Sequence, residues 1–469
     1  MERAADPPAT EEISTHIQHV PGTELLFDND KREAATAGLQ FIDRGDTRIL
    51  LVPQPSLTDV NDPLRWSKLK KWGTFLNAIF YAFLGSVTGP IMAAGMLSLA
   101  ETFGETLQRL TYANGATLIC QGVGNILWMP FVVKVGRRPV YILSCFLMGV
   151  ACVWLGFASN DTYTTFIAGR AFLGFFEAPI ESIVPTTITD LFFLHDRGEK
   201  VSFYGFSVLG GNEIGPLLSA LIIQRLGMGW AFFIVAMFVA LNCITMFFFM
   251  PETRYTGPRP SPFSSSTQRQ SGKELEVHQL ENIDTASTAT SKRGFLRNLA
   301  LWEKPDPNVS LRKTFLRPFV LVTYPTIFWA CMVYGMSLGW NVILGATVAQ
   351  LFAPQYGFDA QNQGLVFLSP FVGSLAGSWL CGSLSDSVAN YFTQRNGGIR
   401  EPEMRLPVCI MGSFLTFTGA LMAGLTYHYN THWAGPVVGY GVLTAGAQIG
   451  VSLSMSYALD CHREVSSSP

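Results

Sequence analysis

Charge is scarce in this chain. Asp, Glu, Lys and Arg make up 14% of its 469 residues, where a soluble domain carries roughly a quarter. An ordinary water-exposed surface is therefore excluded over most of the length. The formal net charge of −2 excludes a global basic field for nucleic acid. No P-loop is present, which excludes ATP-driven pumping from within the chain. GxSxG, HExxH and dinucleotide fingerprints are missing too, so no enzyme and no cofactor are expected. The eight cysteines (Cys120, Cys145, Cys152, Cys243, Cys331, Cys381, Cys409 and Cys461) form no CxxC and no Cys/His cluster. A disulfide framework or metal site is not expected, and they read as small core residues. The seven histidines lie mostly in tails and loops. The first seventy or so residues hold no apolar run, so no cleavable signal peptide is expected.

What the chain has instead is apolar length. Hydrophobic residues make up 48%, gathered in ten runs long enough to cross a bilayer. They lie at roughly 73–98, 112–133, 139–159, 164–186, 203–224, 229–250, 317–345, 362–384, 406–427 and 433–457. In lipid the backbone must bond to itself, so an all-α integral membrane bundle is expected. Basic residues fall between alternate pairs of runs. Lys134, Arg137 and Arg138 follow span two, Arg197 and Lys200 follow span four, and Arg395, Arg400 and Arg405 follow span eight. The alternate loops hold little beyond Arg109 and Arg225. By the positive-inside rule the basic side, and both termini, are expected in the cytoplasm.

Five regions follow. Residues 1–71 read as a disordered cytoplasmic tail, ending in the basic aromatic knot Arg65-Trp66-Ser67-Lys68-Leu69-Lys70-Lys71-Trp72. Residues 72–250 hold six spans. Residues 251–314, rich in Ser, Thr, Pro and charge, read as a cytoplasmic linker. Residues 315–458 hold four spans, and 459–469 form a cytoplasmic tail. Six spans, a linker and a second bundle is a two-repeat transporter layout.

Span four is the most unusual run. Arg170, Glu177 and Glu181 are seven and then four residues apart, on one helix face with Gly174 between them. A lone charge at this depth costs at least ~2.5 kcal/mol on insertion scales. Two roles fit the stripe. It lines a wet cavity in which Glu177 or Glu181 exchanges protons and Arg170 tunes them, or it is a structural ion pair. Glu213 lies in span five, two residues before Gly215-Pro216, and either pairs with Arg170 or is a second protonatable site. Asn77, Gln121, Asn125, Asn341 and Gln448 are weaker polar points, read as interhelical glue. Small residues four apart, as at Gly211 and Gly215, allow close helix approach, and Pro216 marks a bend. Asn160-Asp161-Thr162 is a candidate glycosylation site in an outer loop whose shortness disfavours modification.

On these residues the chain resembles the major facilitator superfamily, from about Asn61 to Cys461, and looks closest to its fungal drug:proton antiporter-like branch. Lys134-Val135-Gly136-Arg137-Arg138-Pro139 matches the basic end of the signature loop between spans two and three. Arg170…Gly174 matches the span-four signature, and Gly211…Gly215-Pro216 matches part of the span-five antiporter signature. Pro251-Glu252-Thr253-Arg254-Tyr255 follows span six as in relatives. Asn396 to Leu406 and Ser456 to Cys461 look like fungal members.

The resemblance implies alternating access between two halves around a central site. It also implies proton coupling, with a proton gradient as the energy source, and export of a drug or secondary metabolite, or uptake of an organic cation. Arg170 would carry the span-four coupling role, and Gly211, Gly215 and Pro216 the bend. The implied partners are the lipid bilayer, a small organic solute and protons. The implied place is the plasma membrane, or else the vacuolar membrane. Three departures stand out. Val133 occupies the ground where the signature loop carries an acid, although the second-half counterpart keeps Asp386. Ser219-Ala220 replace the usual paired glycines. Relatives continue into two more spans, so the last helix pair is expected to be missing. A non-transporting relative and an uncoupled facilitator are the rival expectations.

Overall fold

The computed structural model describes residues 24–25, 41–44, 47–51, 53–56, 59–255, 257, 299–300, 309–396 and 399–461. Most of the tail expected over 1–71, most of the linker expected over 251–314, and residues 462–469 lie outside the described residues. Two short antiparallel pairings join β1 (Glu24–Leu25) to β4 (Ile399–Arg400) and β2 (Phe41–Arg44) to β3 (Thr47–Leu50). Everything else regular is helical.

The first half begins with α1 (Lys68–Thr88). Gly89-Pro90 ends it, because proline has no N–H to continue the ladder. A 3-10 segment, Pro90–Gly95, follows, then α2 (Met96–Phe103). Next come α3 (Leu107–Val135), α4 (Arg137–Ala158), α5 (Tyr163–Glu177), α6 (Pro179–Leu191), α7 (Leu194–Leu226) and α8 (Met228–Phe249). Thr106 and Thr162 cap α3 and α5 by accepting from the Arg109 and Thr165 amides. The second half holds α9 (Leu311–Leu321), α10 (Pro325–Tyr356), α11 (Ala360–Val366), α12 (Leu368–Arg395), α13 (Pro407–His428) and α14 (Ala434–Cys461).

Among the described residues, nine helices are long and apolar enough to cross a membrane. Span four, expected over 164–186, is not among them, because it is divided where α5 stops at Glu177 and α6 starts at Pro179. Ala178 between them keeps helical angles, so the two pieces continue one another. Span seven needs correction. The expected 317–345 is instead α9, a turn through Val322–Tyr324, and then α10 reaching Tyr356. Phe319, Val320 and Leu321, inside the expected span, belong to a separate short helix that buries no residue and lies against α3.

The tail also needs correction at its end. Asp62 is fully buried, and its carboxylate accepts from the Ser56 amide at 2.9 Å and the Leu64 amide at 3.1 Å. Lys71 Nζ donates to the Leu64 carbonyl at 2.9 Å, and Lys70 sits 3.8 Å over the Trp66 ring. Lys200 on α7 lies 4.5 Å over Trp72. The basic knot thus ties the chain to the bundle as well as facing outward.

The core of the first half joins α1, α4, α5, α6 and α8 through residues such as Phe75, Tyr141, Phe166 and Phe232. Tyr81 and Ser144 share a hydrogen bond of 2.5 Å inside it. The second half packs α12 and α13 on α14. The outside is apolar: Ile119 is 69% exposed, Trp379 72% and Ile410 74%. Large apolar side chains so exposed fit lipid rather than water.

Small residues set the closest helix crossings. A Cβ on Gly211 would lie 2.8 Å from the Phe83 carbonyl oxygen of α1, and one on Gly215 would lie 3.0 Å from that of Val87. Gly335 on α10 has nothing within 4 Å of the same point. Gly211→Ala is therefore expected to destabilise the protein by about 1–3 kcal/mol through overpacking against backbone, while Gly335→Ala leaves stability unchanged or slightly higher. Thermal unfolding of both variants in detergent checks this. Equal midpoints would refute the packing account.

Candidate functional site

The break in α1 frees carbonyl groups inside the membrane, and a buried carbonyl without a donor is costly. Arg170 on α5 supplies the donors. It is fully buried. Its Nη1 donates to the Thr88 carbonyl at 2.8 Å, and its Nη2 donates to the Gly89 carbonyl at 2.8 Å and to Asn114 Oδ1 at 2.6 Å. Glu177, two turns along the same face, is also buried. Its Oε2 accepts from the Thr88 hydroxyl at 2.9 Å. Thr88 thus stands between acid and base, in place of a direct ion pair. The structure brings Arg170 and Glu177 together through Thr88 on α1, and Glu181 takes no part in these bonds.

Glu213 does not pair with Arg170. It sits on α7 where the first half meets the second, and its Oε1 accepts from the Ser374 hydroxyl of α12 at 2.6 Å. Its Oε2 is buried with no hydrogen-bond partner. A second polar tie across the same seam runs from Gln224 Nε2 to Asp359 Oδ2 at 3.2 Å. Glu181, on α6, is part-exposed and has no hydrogen bond or ion pair with any described residue.

Gly211 and Gly215 press α7 onto α1, and α7 runs as one helix through Pro216. Of the glue residues, Gln448 joins α14 to α12 through Ser378 Oγ at 2.7 Å, and Asn77 bonds within its own helix to the Gly73 carbonyl. The Asn125 carbonyl oxygen is buried and unpaired. Asn160 is exposed in the turn between α4 and α5.

A second polar cluster lies at the basic-loop end. Gly136, with φ of 114°, turns the chain from α3 into α4, a conformation that suits glycine. Glu252, just after α8, accepts from the amides of Arg137 and Arg138 at 3.0 Å each and from that of Arg254 at 2.9 Å. The Arg137 side chain pairs with Asp190 of α6 and donates to the Thr186 carbonyl at 2.7 Å. Arg138 donates to the Phe247 carbonyl at 2.7 Å. Arg254 donates to the carbonyls of Val133 at 2.7 Å and Lys134 at 3.0 Å. Two acids from elsewhere in the chain, Glu252 and Asp190, thus meet this basic loop. The side chain of Asp386, expected to act as the counterpart, lies outside the described residues.

Thr88, Asn114, Ser374, Asp190 and Glu252 are the site residues that spacing alone did not single out. For Thr88 a signal was present: Gly89-Pro90 announces unpaired carbonyls just before it.

Two bundles of helices in an apolar shell, meeting over buried acids, define a membrane carrier. The Major Facilitator Superfamily model matches residues 74–466, and the chain belongs to that superfamily; it is a multi-pass membrane transporter. The MFS transporter cpaT of Aspergillus oryzae is 27% identical over 88% of this chain and 78% of its own. The MFS-type transporter penM of Penicillium rubens is 25% identical over 86% and 75%. Protein HOL1 of Saccharomyces cerevisiae is 22% identical over 96% and 85%. Among solved structures, the xylose transporter XylE from E. coli, partially occluded and inward open, aligns with a TM-score of 0.52 at 13% identity, over 83% of this chain and 90% of that one. A bacterial homologue of the human lysosomal transporter Spinster aligns with a TM-score of 0.54 at 11% identity, over 84% and 76%. At such identities the likeness speaks for the fold.

Proposed function

We propose that this transporter is a proton-coupled carrier of a small organic molecule, a drug-like compound, secondary metabolite or organic cation, working by alternating access between its two halves. The observation that carries the reading is Glu213. One carboxylate oxygen is bound by the opposite half and the other is buried without a donor, so gaining or losing a proton there changes what holds the halves together. Glu177 offers a second proton site, buried beside Thr88, with Arg170 setting its charge environment. The basic-loop end and both chain ends lie in the cytoplasm on this reading, and the membrane is the plasma membrane or the vacuolar one. The antiport direction, export against inward proton flow, belongs to the same proposal, with Gly211 and Gly215 holding α7 on α1 and Pro216 next to them on α7.

Proteoliposomes with an imposed pH gradient test the coupling. Uptake or export of an organic solute should rise with the gradient and fall when the gradient is dissipated. Glu213→Gln and Glu177→Gln should each lose gradient-driven flux while keeping exchange of solute for solute. Wild-type flux indifferent to the gradient would sink the coupling and leave an uncoupled facilitator.

A further inference from the structure

α9 buries none of its own residues. Its 11 residues extend about 16 Å, too short to cross a bilayer. A helix of that length is marginal in water by itself, and Pro318 inside it removes a ladder bond. Leu316, Phe319 and Val320 nonetheless stand 56%, 53% and 59% exposed. The contact with α3 leaves these three uncovered.

The charge is of one sign. Arg312 and Lys313 are exposed in the first turn, and Arg317 follows. No Asp or Glu occurs between Asp306 and Asp359. α3, the helix alongside, holds no Asp or Glu either. The two properties are sorted along the axis. The exposed bases lie in the first turn, and the largest apolar exposure lies in the last two. The apolar end leads through Val322–Tyr324 into α10, where Phe328 and Met332 are exposed as well. Basic end first and apolar end second is the order in which a bilayer presents headgroups and acyl chains.

An anionic phospholipid carries both complements in one molecule. Its headgroup offers oxyanions to a guanidinium and an ammonium, and its acyl chains cover apolar turns. We infer that α9 is an interfacial docking surface for anionic phospholipid, with Arg312 and Lys313 on the headgroup and Leu316, Phe319 and Val320 among the acyl chains. α9 belongs to the second half by sequence yet lies against α3 of the first, so the bound lipid sits where the halves adjoin. On the orientation proposed above, this is the cytoplasmic leaflet, where such lipids are concentrated.

Native mass spectrometry of the full chain in a neutral detergent tests it, with phosphatidylserine and phosphatidylcholine of the same acyl chains as probes. The wild type should bind the serine lipid more tightly than the choline lipid. Arg312→Gln with Lys313→Gln should weaken phosphatidylserine binding about 30-fold, from about fivefold per basic residue, and leave phosphatidylcholine binding unchanged. Both side chains are exposed, so this double variant should elute monodisperse with an unchanged thermal midpoint. Lys68→Gln with Arg395→Gln removes two exposed bases elsewhere on the basic side and should keep the preference. Glycerophosphoserine, which has the headgroup without acyl chains, should not displace the lipid at equal concentration. Equal binding of the two lipids by the wild type would overturn the inference. So would an unchanged serine-lipid affinity in the α9 double variant, or an equal loss in the Lys68 and Arg395 pair, the mark of a general field. Displacement by glycerophosphoserine would replace the lipid with a free anion. A wild-type dimer that the α9 double variant dissolves would give the surface to a second copy. Either of these last results overturns the inference too.

Discussion

Arg170→Ala should abolish transport and destabilise the protein by about 3–5 kcal/mol, the usual range when one partner of a buried charged network is removed. The side chain satisfies two carbonyls at the break in α1 and the Asn114 amide oxygen. Truncation leaves all three without that donor in an apolar interior, at about 1–3 kcal/mol for each group left unsatisfied. It also strips Glu177 of its nearest positive charge. Arg170→Lys should fall between, because one ammonium group cannot reach acceptors spread over Thr88, Gly89 and Asn114 as a planar fork does. Adding Glu177→Gln to the alanine variant should recover part of the stability but none of the coupling, since it removes the stranded acid and not the stranded carbonyls. Thermal unfolding in detergent together with proteoliposome flux reads these outcomes. An alanine variant that melts and transports like the wild type would mean that the carbonyls find other donors and that the arginine is dispensable.

Glu252→Ala carries the second large effect. One carboxylate receives three backbone amides, two of them at the start of α4. An acid there satisfies amides that have no partner within the helix and meets the positive end of the helix dipole. Its loss should cost about 2 kcal/mol, within the range for charged hydrogen bonds and caps. It should also free the contact between the start of α4 and the chain leaving α8. Glu252→Gln should be only a partial remedy, because its NH2 group would face amide donors. Transport should drop in step, since Arg137, Arg138 and Arg254 are placed by the same turn. If Glu252→Ala shifts neither the thermal midpoint nor the flux, the cluster is surface decoration.

Much of this was legible from composition and spacing, because lipid imposes one demand on every span. The apolar runs give the bundle, the basic loops give its common end, and heptad spacing puts Arg170 and Glu177 on one face. The failures have physical causes. Phe319 to Leu321 are apolar enough to read as part of span seven, yet the turn at Val322–Tyr324 makes them the end of a separate helix. Span four divides because Pro179 lacks the amide that would continue α5. The partners of Glu213 and of Arg137 were beyond reach for another reason. Ser374 is 161 residues from Glu213, and only the packing of one half on the other decides which hydroxyl meets which acid. Glu252 was visible in a motif, but its role appears only once Gly136 turns the chain beneath it.

The break at Gly89 has a mechanical consequence. A discontinuous helix is ordinarily a joint, free to flex. Here the guanidinium of Arg170 is bolted across it, so the two segments on either side of Gly89 and the helix carrying Arg170 shift together or not at all. Gly211 and Gly215 clamp α7 to the same assembly. On the alternating-access reading proposed above, the first half moves as a rigid lever and the yielding element is the seam along α7, where the polar ties include single hydrogen bonds from Ser374 to Glu213 and from Gln224 to Asp359. On the proton-coupled reading proposed above, a lever of this kind would turn the gain or loss of one proton on Glu213 into displacement along α7.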